Sequence, residues 1–274
     1  MNRTVHLFRR TLRCGAWLAP VLGILLVDTA RAATAPPRAD PKKAPDRTIR
    51  RTAPLPDWSG LGAVQSWARL GTPGAPSGDW KVDPSGDLNL ITFIRENTTI
   101  RIPQYWFAAD VENMGSLANF PFVFMHSQRA PELTANARAN LREYLLRGGF
   151  LFAEDCVEPD NTGPGFFETM VRELARIVPE ATLGPLPNEH PVFHCLFDLP
   201  RGLPKLQGRT TGLWALQLNG RVLALLSPAD LHCAWTYGDA FAGAGTERAA
   251  LEMGANIYVF AMTQSPARAV PAKP

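Results

Sequence analysis

Glu154, Asp155 and Cys156 stand side by side near the middle of the chain, with Glu158 and Asp160 close behind. Clustered carboxylates can hold a hard cation such as Mg²⁺ or Ca²⁺, or share the work of a general acid and a general base. They can equally cap helices and face solvent. A thiol among them is a candidate nucleophile wherever an imidazole holds it as thiolate. Cys156 lacks the small neighbours of a strained nucleophile turn, and three nearby acids oppose its ionisation, so a structural thiol is the competing reading. Asp155 is the acid expected to act, and the candidate metal ligand. That expectation requires Phe150, Phe152 and Glu154 to point to the other side of a strand.

Histidines supply the remaining chemistry. His126 follows the apolar run Phe122–Met125 and would stand near Asp155 if the two strands ran parallel, forming an acid–base or metal pair. His190 and His194 have i, i+4 spacing, but Pro191 opposes a shared helical face. They lack the helix-borne glutamate of a zinc protease, so the stretch reads first as a turn. Asp230, His232 and Trp235 are expected to line the same cleft from its far side. The catalytic candidates are therefore Asp155, Cys156, His126 and His190. The binding candidates are Glu154, Asp155, His126, His190, Asp230 and Trp235. Neither a G-x-S-x-G elbow nor a Gly-rich phosphate loop occurs.

The elements that would carry these residues can be read from periodicity. Ala137, Leu141, Tyr144 and Leu145 form the apolar face of a helix from Thr134, a good N-cap, to Arg147. Gly148 and Gly149 suit a left-handed C-cap, and Phe150–Ala153 reads as a strand covered on both sides. Leu88–Ile94 and Phe122–Met125 read as two further strands. Gly165–Val178 is predicted helical, as is Thr246–Met262, where Asn256 must find a partner such as a backbone group. Asn219-Gly220 joins Leu213–Leu218 and Arg221–Leu226 into a hairpin, and a loop is expected around Asp230–Trp235. Strands alternating with helices plus one hairpin describe an α/β three-layer sandwich, mostly parallel, with an antiparallel extension at its edge.

Residues 1–32 read as an export signal. Arg3, Arg9, Arg10 and Arg13 precede the apolar Ala16–Val27, and Ala30-Arg31-Ala32 supplies a small-x-small cleavage site. An uncleaved anchor is the alternative, and it is the only membrane attachment expected. Arg9-Arg10 leaves Sec and twin-arginine export open. Residues 33–57 form a Pro/Ala-rich tether, 58–264 a single α/β domain that opens with an irregular wrapping segment over 58–87, and 265–274 a tail. Without signal and tether, 17 basic residues face 21 acidic ones, and no basic stripe interleaves with aromatics, which argues against nucleic acid. Cys156, Cys195 and Cys233 then remain, at spacings of 39 and 38 that match no zinc ribbon. Either one pair is joined or all three stay reduced.

The ordered stretches FPFVFMHS, LREYLLRGGFLFAEDC, FFETMVRELARIVPE, LPNEHPVFHCLFD, GLWAL and SPADL resemble a bacterial family of domains of unknown function, number 4159, over Leu88–Met262. The resemblance implies a flavodoxin-like, class I glutamine-amidotransferase-like fold in exported or membrane-attached proteins, and brings no established activity. Amidotransferases of that superfamily hold a nucleophilic cysteine on a glycine-flanked elbow. Asp155-Cys156 lies about where the elbow would be, without the glycines, so the catalytic triad is not carried over. The expectation is a non-catalytic module of the cell envelope that binds a small ligand or an envelope protein. No cofactor is expected, a divalent metal being the exception. The alternative is a hydrolase, with or without a metal to assist it, working through Asp155, His126 and His190.

Overall fold

The computed structural model describes residues 65–71, 80–128, 131–157, 165–207 and 211–264. The signal at 1–32, the tether at 33–57, the tail at 265–274, and Glu158 and Asp160 lie outside the described residues. Chain order runs β1 (Ala68–Gly71), α1 (Pro84–Asn97), β2 (Phe107–Asp110), α2 (Met114–Leu117), β3 (Phe122–Ser127), α3 (Ala135–Leu146), β4 (Phe150–Asp155) and α4 (Phe166–Ile177). It continues with β5 (Thr182–Pro185), a 3₁₀ turn (Pro191–Phe193), β6 (Trp214–Leu218), β7 (Arg221–Ser227), α5 (Leu231–Tyr237), α6 (Asp239–Ala242) and α7 (Thr246–Thr263). Among the described residues these make one seven-stranded sheet, ordered β2-β1-β3-β4-β7-β6-β5. The first five strands in that order are parallel, and β6 and β5 extend the edge antiparallel. The hairpin turns on Asn219 and Gly220, both at positive φ, as a two-residue primed turn requires.

Both faces of the sheet are covered, so the protein is an α/β sandwich with helices on either side. Trp67, Phe122, Phe124, Phe150, Phe152 and Leu225 project from one face into a core shared with α1, α5 and α7. Leu70, Val123, Met125, Leu151, Ala153 and Leu226 project from the other, against α3 and α4. Each fully buried phenylalanine or leucine contributes about 1.5–3 kcal/mol. Thr134 caps α3 by accepting from Ala137 N at 3.0 Å, and Gly148 ends the helix at φ 112. Gly149 follows because a Cβ there would meet the Tyr144 ring at 2.4 Å.

Three expectations are corrected. Leu88–Ile94 is not a strand but the body of α1. Pro84 occupies the start of that helix, and Asp87, Leu90, Ile91 and Ile94 form a buried stripe at i, i+3, i+4, i+7 spacing. Asp230–Trp235 is not a loop either: Leu231 opens α5, whose residues Leu231 to Trp235 are all buried. The wrapping segment expected over 58–87 contains β1, which pairs with both β2 and β3, one strand in from the edge of the parallel sheet. Four residues with an arginine among them carry no recognisable apolar run.

Asn256, fully buried on α7, pairs with one backbone unit: Nδ2 donates to Phe197 O and Oδ1 accepts from Phe197 N, both at 2.8 Å. Asn256→Ala is expected to cost about 1–3 kcal/mol, since both part-buried Phe197 groups lose their partner. A denaturant midpoint unchanged from the parent would show that the pairing is dispensable.

Candidate functional site

The parallel strands alternate their side chains, and one row at their carboxyl ends is polar. Register pairs His126 on β3 with Glu154 on β4, and Glu154 with Ser227 on β7, so all three share the face that carries Phe124, Phe152 and Leu225. Arg69 on β1 lies one row back, paired with Phe124. Helices α1 and α5 roof this row. Their close approach depends on Gly86, where a Cβ would meet Thr236 Oγ1 at 2.5 Å and His232 Nε2 at 2.7 Å. His126, Glu154, Asp230, His232 and Asp87 are each at most 1% exposed.

Asp87 anchors one half of the site. Its carboxylate accepts from Trp67 Nε1 at 2.6 Å and from Arg69 Nε at 3.0 Å to each oxygen, and it pairs with Arg69 Nη2. Arg69 also donates from Nη1 to Trp80 O and Val82 O, and its guanidinium lies 5.2 Å from the Trp106 ring centre. His232 Nε2 lies 3.0 Å from Asp87 Oδ2 and 2.8 Å from Arg69 Nη2. The first is a hydrogen bond when Nε2 carries the proton, the second when it does not. Burial works to raise the Asp87 carboxyl, but the Arg69 charge and the bonds from His232 and Arg69 outweigh it and hold the group below the usual carboxylate range.

The other half is less well satisfied. The His126 ring centre lies 4.1 Å from that of His232, yet neither nitrogen of His126 has a hydrogen-bond partner. Burial, and then the nearby His232 and Arg69, hold His126 well below the ordinary imidazole value, in the neutral form. Asp230 adopts a left-handed backbone (φ 60) at the start of α5. Its Oδ2 accepts from Val157 N at 3.1 Å and Gln207 Nε2 at 2.7 Å, while Oδ1 is without a partner. Donor atoms of His126, Cys156 and Asp230 all lie within 4.8 Å of one another. The sulfurs of Cys156 and Cys233 are 3.9 Å apart, and all three described cysteines are free thiols. Hydrogen bonding to Cys156, burial and the adjoining Asp230 push the Cys233 thiol far up.

Glu154 serves the structure around this pocket. Oε1 accepts from Ser227 Oγ at 2.8 Å and Leu231 N at 2.7 Å, and Oε2 from His232 N at 3.0 Å, which ties β4 to β7 and to the first turn of α5. Burial, reinforced by Asp230, nevertheless raises its carboxyl well above the ordinary value. Trp235, the expected wall, packs edge-on to His232 with ring centres 5.6 Å apart and donates to Ala250 O.

Two candidates stand elsewhere. Asp155 pairs in register with Ser127, on the opposite face from His126, and its Oδ2 lies 3.4 Å from Phe167 N at the start of α4. His126 meets Glu154 instead. Both faces of β4 are buried, so nothing in the apolar run distinguishes the inner side. His190 caps the 3₁₀ turn by accepting from Val192 N at 3.2 Å and packs against Phe260, away from the pocket. Sequence reasoning missed Arg69, Asp87 and Cys233 as partners of the site. Only Asp87 left a signal, as an acid in the first turn after Pro84.

The family model for a domain of unknown function, DUF4159, matches residues 66–262. The chain belongs to that family. The match takes in every described element from β1 to α7 up to Met262, and therefore the whole pocket of this DUF4159 domain. No curated protein matches the chain. No helix among the described residues is long and apolar enough to cross a membrane.

Proposed function

We propose that this DUF4159 chain is an exported, non-catalytic binding module of the cell envelope, and that the pocket around His126 is what it binds with. Burial carries the reading: His126, Asp230 and Cys156, the groups that would have to touch a substrate, are all shut away from solvent. A hydrolase working through Asp155, His126 and His190 would need them together, but Asp155 points to the opposite face from His126 and His190 caps the 3₁₀ turn against Phe260. The unpartnered atoms of His126 and Asp230 instead favour a small ligand held inside.

The order β2-β1-β3-β4-β7 of the parallel strands supports a flavodoxin-like, amidotransferase-like core, whose ligands sit beyond the strand carboxyl ends where the order reverses. The glycine-flanked elbow of the amidotransferases is absent around Cys156. The basic and apolar stretches of residues 1–32 support export, and an envelope protein is the partner class that suits a tethered domain. Nucleic acid is not proposed as a partner, given the mild excess of acid.

The full chain, offered a panel of esters, amides and glycosides with and without divalent metals, is expected to turn over none of them faster than buffer does. Turnover that disappears in His126→Gln would overturn the reading. Fractionation of expressing cells checks the export, with retention in the cytoplasm as the contrary result.

A further inference from the structure

We propose that His126, Cys156 and Asp230 bind a divalent transition-metal ion of the zinc type, with the Cys233 sulfur as fourth donor. The inference rests on the binding-module reading and names the ligand of its pocket. Four residues from three elements converge here: His126 from the end of β3, Cys156 from the residue after β4, and Asp230 and Cys233 from the start of α5.

The spacing is close to what an ion demands. Zinc holds sulfur at about 2.3 Å and nitrogen or oxygen at about 2.0–2.2 Å, so tetrahedral donors sit roughly 3.3–3.8 Å apart. The Cys156 and Cys233 sulfurs are 3.9 Å apart, and the Cys156 sulfur lies with the donor atoms of His126 and Asp230 in a group within 4.8 Å of one another. Closing the His126, Cys156 and Asp230 donors onto an ion takes a contraction of about 1.5 Å at most. Two independent observations point the same way. Both ring nitrogens of a histidine 1% exposed have no partner, and neither has Oδ1 of an aspartate that is 0% exposed. Orphaned polar atoms this deep are uncommon, and here two residues within one cluster carry them. Asp230 is also positioned as a ligand would be, because Val157 N and Gln207 Nε2 fix its other oxygen and leave Oδ1 to the pocket. Its left-handed backbone is strain of a kind that collects at functional sites.

The donor chemistry selects the class of ion. Mg²⁺ and Ca²⁺ take oxygen ligands, whereas two sulfurs, one imidazole and one carboxylate suit zinc. Of the acids that first suggest a hard cation, the two among the described residues are otherwise engaged: both oxygens of Glu154 accept hydrogen bonds, and Asp155 faces α4. On binding, the two thiols release their protons to solvent and both sulfurs ligate as thiolates. With Asp230 ionised, three negative ligands surround a charge of two, and no electron changes hands. Four protein donors also close the coordination sphere, as expected of a metal that is held and not used for turnover.

The test uses the full chain, stripped with chelator under reducing conditions and titrated with Zn²⁺ and with Co²⁺. One ion per chain is expected, with a rise in thermal midpoint and a thiolate-to-cobalt charge-transfer band. Cys156→Ser and Asp230→Asn should each weaken zinc by more than the roughly 10–100-fold that changes outside the coordination sphere cost. Cys195→Ser, which alters an exposed thiol outside the pocket, should bind as the parent does. A folded parent chain with no cobalt band, a band lost in Cys195→Ser, or a Cys156–Cys233 disulfide in place of the ion would each overturn the proposal. If Cys156→Ser fails to fold, Asp230→Asn and the parent spectrum still decide it. Substrate turnover would defeat the module reading and leave the metal standing. Silence in both assays would remove the metal alone.

Discussion

Asp87→Asn is expected to destabilise the fold by about 3–5 kcal/mol, the range for breaking a buried ion pair at one end. Asp87 and Arg69 are both out of solvent, so screening by water does not dilute the pair. An amide at position 87 leaves the Arg69 guanidinium uncompensated beneath α1 and weakens the acceptor for Trp67 Nε1 and His232 Nε2. Removing both charges, as in Asp87→Leu with Arg69→Met, should cost less than the sum of the single changes, because neither partner is then stranded. Chemical denaturation of the parent, Asp87→Leu, Arg69→Met and the double variant measures the cycle, with Asp87→Asn alongside. A single-variant loss under about 1 kcal/mol, the level of a surface pair, would show that the ion pair contributes little. The pair also has a pH signature. Its carboxyl lies below the unfolded value of 3.8, so its contribution is complete above that pH and is lost as pH falls further.

The second large effect belongs to His126. The fold keeps this imidazole neutral, while the unfolded chain can protonate it near the ordinary value of 6.5. Below that pH the unfolded state binds the extra proton. Stability credited to His126 is therefore complete above 6.5 and declines as pH falls, by up to about 1.4 kcal/mol per pH unit. The groups facing it are His232 from α5, Arg69 from β1, Cys156 and Glu154 from the end of β4, and Asp230 from the start of α5. Glu154 works in the opposite sense. Its raised pKa means that the fold keeps a proton the unfolded chain gives up above 4.5, so its contribution declines as pH rises. The useful quantity is thus the difference between the parent and His126→Gln, both metal-free. Relative to the variant, the parent should lose stability as pH falls from 6.5 to 5, by less than the about 2 kcal/mol that the full slope would give. Parallel stability profiles would show that position 126 does not titrate as the fold requires.

The parts of this architecture that could be read in advance were those with strong local physics. Thr134 followed by a 3.6-residue stripe and Gly148 specified α3, the stripe from Phe167 to Ile177 specified α4, and Asn219-Gly220 specified the hairpin. The expected backbone partner of Asn256 is Phe197. Local composition misled where an amphipathic helix and a strand share their residues. LNLITFI is rich in β-branched and aromatic side chains, yet Pro84 and the buried stripe make it α1. It was silent where the element is short: β1 holds Arg69 in a fully buried four-residue strand.

The site divides along the same line. Residue types and their nearness to strand ends were enough to single out His126, Glu154, Asp155, Cys156, Asp230 and Trp235. Which of them meet depends on register and facing. A strand buried on both sides shows no alternation, so the choice between Glu154 and Asp155 rests on pairing with β3 and β7, and that pairing turns Asp155 toward α4. Cys156 and Cys233 are 77 residues apart, and no linear spacing rule connects them. The fold does so because α5 starts directly after β7, the strand that pairs with β4. Asp87 reaches the pocket only because a helix from one end of the sheet packs against α5. Side-chain identity and helical periodicity are properties of the chain alone. The company each polar group keeps is set by strand order and helix packing, which no short stretch of residues encodes.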